Sequence, residues 1–486
     1  MTTQKVKPAI IQNNSNLQNE LLKHLQQDLL DKWYPLCIDK ENGGYYTNIS
    51  FNWNIETVQH KMIVTQARHV WTTSKAAVLL DNIIYKEAAI HGFDFLKNSM
   101  WDKKYGGFYQ IRDYKGEYTD YLGFCDEKRT YGNAFAIYGL SALYQLTGDE
   151  KVLDFAKEVY NWIESHAFDH KLDGYFQFLN REGRTFDKKG KYSTKADDGI
   201  EVGYKDQNSS IHLLEAYTEL YNVWPDDELR KKLYNLLILI RDVITTTKGY
   251  MNLFFEYDWT PVSFSAKGGC VSGSKEAIKE IREKNYRLDH VSFGHDYETA
   301  FLMLEASHAL GLESDIDTLI IAKKMVDHAM VNGWDNDNGG FYDAGYYFAG
   351  ENNCTIIQPT KNWWAQAEGL NVLLIMSRIF PDEEKYKYYF ERQWNYIKNY
   401  LLDNENGGWF EGGLDKEPHF KTGQKGHIWK GSYHTGRALM NCTKILAGEN
   451  FPLMKNKNFK LEKNNTDEFL NHWKRNAESL AIKKNN

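Results

Sequence analysis

His295 and Glu298 stand three residues apart in Gly294-His295-Asp296-Tyr297-Glu298, ahead of a run in which Ala300, Phe301, Leu304 and Ala309 recur at helical spacing. With a helix starting near Gly294, that spacing puts imidazole and carboxylate on one face, one turn apart. There the carboxylate orients the ring and holds a proton on it. The plainer alternative is a helix N-terminus capped by Asp296, with an incidental histidine. A second stretch, Trp429-Lys430-Gly431-Ser432-Tyr433-His434-Thr435-Gly436-Arg437, places a tryptophan before a turn, a histidine at the head of a helix and an arginine one turn later. Histidine has an unperturbed pKa close to neutral, so such residues suit a chemistry in which a proton is taken and then returned.

The elements that must position these residues follow from a repeat. Gly-aromatic pairs recur at Gly43-Gly44-Tyr45, Gly106-Gly107-Phe108, Gly174-Tyr175, Gly249-Tyr250, Gly339-Gly340-Phe341 and Gly407-Gly408-Trp409, with steps of 63, 67, 75, 91 and 68 residues between the last glycines. Such a period accommodates two helices per unit. An amphipathic segment precedes each pair: 17–33, 88–101, 152–166, 229–245, 316–332 and 383–401. A more apolar one follows: 66–80, 131–146, 208–221, 295–310, 363–379 and 433–446. Gly148, Gly311 and Gly448 stand where a left-handed helix C-cap wants glycine. Six hairpins of outer polar and inner apolar helices predict an all-α fold, an (α/α)6 barrel whose inner ring surrounds a cavity, with short β-hairpins in the loops over one end. The expected organisation is a polar N-terminal arm over 1–16, the barrel over 17–450, and a Lys/Asn-rich tail over 451–486 with a short helix at 467–480. Extra runs near 184–202 and 263–285 precede inner helices and read as surface loops or as a lid over the cavity mouth.

Counted from the second glycine of its unit, Arg68, Tyr131 and Trp364 each lie 24 residues on and His434 lies 26 on, one register at the start of the inner helices. Allowing for the insertions, His212 and His295 occupy the equivalent region. Three histidines, an arginine, carboxylates and tryptophans are therefore expected at one end of one cavity. Taken singly, Arg68 also fits a salt bridge at a helix end, Trp71, Trp363 and Trp364 fit the core, and Asn208 and His212 fit the capping and packing of their helix.

Composition narrows the class. The chain has 486 residues, 42% hydrophobic and 26% charged, which suits a large globular core. Aromatic residues reach 15%, in keeping with surfaces that stack on sugar faces or with a tyrosine-rich helical core. A net charge of −7 argues against a nucleic acid or an anionic membrane as partner. No run of about 18 apolar residues occurs, so no membrane span is expected. Five scattered cysteines without a C-x-x-C pair and a polar N-terminus read as free thiols in a cytoplasmic protein.

Gln66-Ala67-Arg68-His69-Val70-Trp71, Asn208-Ser209-Ser210-Ile211-His212-Leu213-Leu214-Glu215, Gly294-His295-Asp296-Tyr297-Glu298, Lys361-Asn362-Trp363-Trp364-Ala365-Gln366-Ala367-Glu368-Gly369 and Trp429-Lys430-Gly431-Ser432-Tyr433-His434 together resemble the motif set of the N-acylglucosamine 2-epimerase superfamily, and among its branches the cellobiose 2-epimerases. The resemblance runs from about Leu29 to Ala447. It implies an (α/α)6 barrel that interconverts sugars differing at C2 beside a free reducing end, with no cofactor and no metal. It places His295 and His434 on either side of C2 and Arg68 and His212 near the reacting oxygens. Trp364 and Trp429 then line the sugar site and Glu298 and Glu368 support it, with Tyr131 and Asn208 as further substrate contacts. The expected partner is a small sugar, and the expected state a monomer or weak homodimer.

The chemistry asks for opening of the hemiacetal, removal of the weakly acidic C2 proton by a base, and return of a proton on the other face. Each histidine is worth about 10² to 10⁴ in rate as acid or base. Arg68 and His212 would stabilise the anionic enediolate. Proton return at C1 instead gives an aldose–ketose isomerase acting on mannose. An (α/α)6 glycoside hydrolase needs two carboxylates flanking a bond, whereas histidines dominate the expected cavity. A metal hydrolase built on His212, His295, Glu298 and His434 lacks a compact motif such as H-E-x-x-H. A non-catalytic sugar-binding or scaffold protein would use the aromatics without needing convergent histidines.

Overall fold

The computed structural model describes residues 16–186, 205–263, 274–284, 286–312 and 315–449. The N-terminal arm up to residue 15, the third unit's run from 187 to 202, the glycine-rich part of the insertion at 264–273, and the tail with its expected helix at 467–480 lie outside the described residues. The described chain forms two compact units, the first from 16–167, 178–185 and 398–449, the second from the remainder up to 397.

In the first unit, α1 (Asn16–Lys23) continues without a break through Trp33. It is followed by α2 (Ile63–Leu80), α3 (Ile83–Phe95, continuing to Met100), α4 (Thr130–Thr147) and α5 (Glu150–His166). In the second, α6 (Gln207–Val223), α7 (Asp227–Leu239, continuing to Ile244), α8 (Lys275–Lys284), α9 (Phe293–Ala309), α10 (Ile316–Asn332), α11 (Trp363–Ile379) and α12 (Glu384–Tyr400) follow in order, the last residues of α12 belonging to the first unit. The first unit ends on α13 (Tyr433–Leu446). Apart from α8, amphipathic and apolar helices alternate as the repeat requires. Asp149, Asp226 and Asp315 cap α5, α7 and α10 by accepting backbone N–H bonds from the first turn. Gly148, Gly311 and Gly448 end three inner helices with φ of 65°, 71° and 92°.

The Gly-aromatic pairs are turns on which a ring is pressed. A Cβ on Gly107 would lie 2.5 Å from Trp162, and one on Gly340 would lie 2.8 Å from Tyr396, at φ of +74° and +78°. Only glycine tolerates both the contact and the dihedral. Each turn in five units also carries a buried ion pair: Lys61 Nζ to Asp39 (2.7 Å), Lys128 to Asp102 (3.1 Å), Lys205 to Asp169 (2.7 Å), Lys361 to Asp335 (2.7 Å) and Lys425 to Asp403 (2.6 Å). Most of these ammonium groups also donate to the turn's own carbonyls, as Lys61 does to Gly43 and Lys361 to Gly339. In the fourth unit Thr246 and Val291 stand at the corresponding places.

Strands are short and lead into inner helices. β1 (His60–Met62) pairs antiparallel with β2 (Ile111–Asp113), β3 (Lys128–Arg129) with β4 (Phe178–Leu179), and β5 (Lys205–Asp206) with β6 (Phe254–Phe255). β7 (Val291–Ser292), β8 (Ala344–Tyr346) and β9 (Thr355–Gln358) form a three-stranded sheet. The described part of the fourth unit's insertion is α8, which lies on that sheet. Ile278 packs against Ala344, Phe348 and Ile357, and the buried Arg282 pairs with Asp289 and sits 4.1 Å above the Tyr346 ring.

Candidate active site

The inner helices are buried on every side along their first two turns, with one class of exception. In α4, α6, α9 and α11 the partly exposed residues of that stretch are Tyr131, Asn208, His295 and Trp364, each in the first turn; exposure returns only near the C-terminal ends. An apolar helix gains nothing by opening its N-terminal turn to water, and the side chains found there are an imidazole, an amide, a phenol and an indole. The repeat register holds for Tyr131, Trp364 and His434, each the second residue of its helix. Arg68 and His212 instead lie one turn deeper, because α2 and α6 begin five residues before them.

In the first unit, Arg68 is only 5% exposed. Its guanidinium lies 4.2 Å from the Phe135 ring centre and 4.8 Å from that of Tyr433, and Nη2 donates to the Tyr131 hydroxyl at 3.0 Å. Among the described residues no carboxylate pairs with it, and its Nε has no hydrogen-bond acceptor. A permanent cation held in an aromatic box without a counter-ion creates a strongly positive field, ready for an anion that arrives with a ligand. His434 is buried, its ring 4.7 Å from that of Tyr433. The loop before it is tied down. Trp429 donates its N–H to His427 Nδ1 at 3.2 Å, and Lys430 Nζ donates to the carbonyls of Trp409 (3.1 Å) and Gln424 (3.2 Å). Burial pulls the Lys430 ammonium down to about 7. Tyr34 locks the head of α13 to α2, its hydroxyl lying 2.9 Å from Ser432 Oγ and 2.7 Å from His69 Nδ1.

In the second unit, α9 starts at Phe293. His295 Nδ1 lies 2.8 Å from Ser292 Oγ, and its ring is 4.7 Å from that of Trp364. Gly294 makes that approach possible, since a Cβ there would fall 2.7 Å from the Trp364 ring. Asp296 does not cap the helix. It is buried and accepts the Met251 N–H at 2.9 Å, the place taken by Gln66, Asn133 and Gln366 in other units. Glu298 and Glu368 are buried, with carboxylate oxygens within 4.8 Å of each other. His212 is buried and its Nδ1 lies 2.8 Å from Glu215 Oε2. Asn208 stands one turn before it, its Oδ1 without a partner among the described residues.

The first unit thus groups Arg68 and Tyr131 and fixes Trp429 on an anchored loop that leads into His434 at the head of α13. The second groups His295 with Trp364 and Glu298 with Glu368, and sets Asn208 and His212 on one face of α6. The residues not singled out beforehand are Glu215, the aromatic box of Phe135 and Tyr433, and the Tyr34–His69–Ser432 tie. Only Glu215 had a visible signal, its spacing of three from His212. A cavity of about 650 Å³ in the second unit, walled by Phe168, Tyr175, Lys232 and Trp259, touches none of the candidate residues.

Residues 44–438 match the model of the N-acylglucosamine 2-epimerase (GlcNAc 2-epimerase) family. A cellobiose 2-epimerase of Bacteroides fragilis is 31% identical over 438 residues, covering 88% of this chain and 98% of that protein. The structure of a cellobiose 2-epimerase from Bacillus thermoamylovorans superposes with a TM-score of 0.74 at 25% identity, covering 88% of this chain and 99% of that one. A D-mannose isomerase structure superposes with a TM-score of 0.72 at 20% identity, over 90% and 100% of the two chains. The fold class is all-α, the (α/α)6 barrel.

Proposed function

The chain belongs to the N-acylglucosamine 2-epimerase family and is an isomerase of the sugar 2-epimerase kind; from that premise we propose that its substrate is a β-1,4-linked disaccharide such as cellobiose or lactose, inverted at C2 of the reducing-end residue. His295 and His434 exchange the C2 proton on opposite faces, one as base and the other as acid. Each is competent in both roles, because an imidazole titrates near the working pH. Removal of the proton leaves an enediolate. Arg68, which has no counter-ion of its own among the described residues, takes up that charge at the oxygens of C1 and C2, with His212 as second donor. Trp364, Trp429 and Tyr131 offer flat amphipathic faces to the sugar ring, Asn208 a free amide oxygen, and Glu298 and Glu368 carboxylates that accept from hydroxyls.

The observation that carries this reading is that the first turns of otherwise buried inner helices are partly exposed at Tyr131 in the first unit and at Asn208, His295 and Trp364 in the second. No step requires a metal or cofactor. Activity should survive exhaustive chelation, and chelation that silences a folded enzyme would overturn that part.

The nearest second reading is isomerisation of mannose, favoured by the likeness to a D-mannose isomerase structure. It uses the same residues and differs only in returning the proton to C1. Incubation with cellobiose, lactose and mannose separates the two. A C2-epimer of the disaccharides supports the first, and fructose from mannose without disaccharide turnover supports the second.

A further inference from the structure

His212 and Glu215 lie three residues apart on α6, their side chains each 2% exposed, with Nδ1 and Oε2 2.8 Å apart. Asn208, His212 and Glu215 follow at spacings of four and three, so they share one helix face, the amide outermost and the carboxylate deepest. Around Glu215, Leu213, Leu214, Ala216 and Tyr217 are fully buried. Sinking a carboxylate among such residues costs several kcal/mol, and this one is aimed at an imidazole nitrogen. The geometry points to Glu215 as a positioning residue that fixes the tautomer of His212 and sustains its protonated form during the reaction, a role that rests on the epimerase reading above.

The proton account follows from the contact. An ionised Glu215 accepts only, so Nδ1 carries the hydrogen and Nε2, across the ring, is the atom offered to substrate. In the neutral ring Nε2 takes the proton of a sugar hydroxyl. In the imidazolium it donates that proton to the enediolate oxygen, recovers it as the aldehyde re-forms, and returns it to the sugar hydroxyl when the ring closes. Only N–H and O–H bonds are exchanged, and the ring ends each turnover as it began. The carboxylate stabilises the cationic stage by charge.

The test is Glu215→Gln in the full-length enzyme, with Glu215→Asp alongside. In Glu215→Gln, kcat on cellobiose should fall by about tenfold or more with KM little changed. Glu215→Asp keeps the charge and should recover the rate. A folded Glu215→Gln enzyme with native kcat overturns the proposal, and so does a loss of rate that Glu215→Asp does not restore in a folded protein. A measurement without substrate separates this from the epimerase reading. In ¹⁵N-histidine-labelled enzyme, with His212 assigned through His212→Asn, the ring should hold its proton on Nδ1. A proton on Nε2 instead rejects the dyad whatever the activity, whereas an Nδ1 proton in an enzyme that never exchanges C2 hydrogen rejects the epimerase reading and keeps the tautomer.

Discussion

Arg68 has every attribute of a core residue except a reason to be there. It is buried, it rests on Phe135 and Tyr433, and its one hydrogen bond among the described residues goes to a phenol that is itself partly exposed. Lysine in its place would keep the charge but lose the planar fork. Arg68→Lys should therefore lower kcat by about 10² to 10³, as loss of an oxyanion donor does, with a smaller effect on KM. Loss confined to KM would assign Arg68 to ground-state binding instead. Asp296 makes the opposite case, a carboxyl where other units have an amide. Burial pushes its pKa well above the carboxylate range, and its Oδ2 has no partner among the described residues. Asn133, in the same register, accepts from the Phe108 N–H and donates to the Arg129 carbonyl. Asp296→Asn should gain about 1 kcal/mol at neutral pH by making the second bond, measured by denaturant unfolding; a loss would mean the carboxyl itself is needed. Neither feature was legible in the sequence. Counting residues put Arg68 and His212 at helix heads, whereas both lie one turn deeper in α2 and α6, and the absence of a counter-ion for Arg68 among the described residues is a property of packing. The positions of Trp364 and His434 were legible because a repeat fixes register.

At the scale of elements, the inner helices were read almost to the residue where the apolar run starts abruptly. The expected segments 363–379 and 433–446 coincide with α11 and α13. The start of α2 was placed three residues late, because Ile63-Val64-Thr65 is β-branched and has no side-chain cap to announce a helix. The buried Lys–Asp pairs were missed, although an aspartate four residues before the first glycine of four turns was there to be seen. These pairs make the turns sensitive to acid. Burial by itself would raise Asp39, Asp102, Asp169, Asp335 and Asp403, but the facing ammonium and backbone N–H groups outweigh it and hold each below its ordinary range. A carboxylate with a depressed folded pKa contributes stability that is present above the unfolded value of about 4 and is lost as pH falls through the folded value. The contribution of these pairs to the unfolding free energy should therefore be constant near neutrality and decline steadily below about pH 4. Lys361→Met should cost about 3 to 5 kcal/mol by stranding Asp335, and a change under 1 kcal/mol would show the pair to be dispensable.

For the whole molecule, the (α/α)6 fold was within reach of the sequence because a period of Gly-aromatic turns can be counted, and family membership because five motifs resemble those of the family. How α8 lies on the β7–β9 sheet was not, because its contacts join residues about 70 apart, Ile278 with Phe348 for instance. The account stands on one claim, that the chemistry is removal and return of the C2 proton by histidines. Cellobiose turned over in deuterium oxide, with the product analysed by NMR, tests it most directly. The prediction is an epimerised reducing-end residue carrying solvent deuterium at C2, with incorporation lost and kcat down by about 10² to 10⁴ in His295→Ala and in His434→Ala. Epimer formed with its original C2 hydrogen, or incorporation undiminished in either variant, would contradict it.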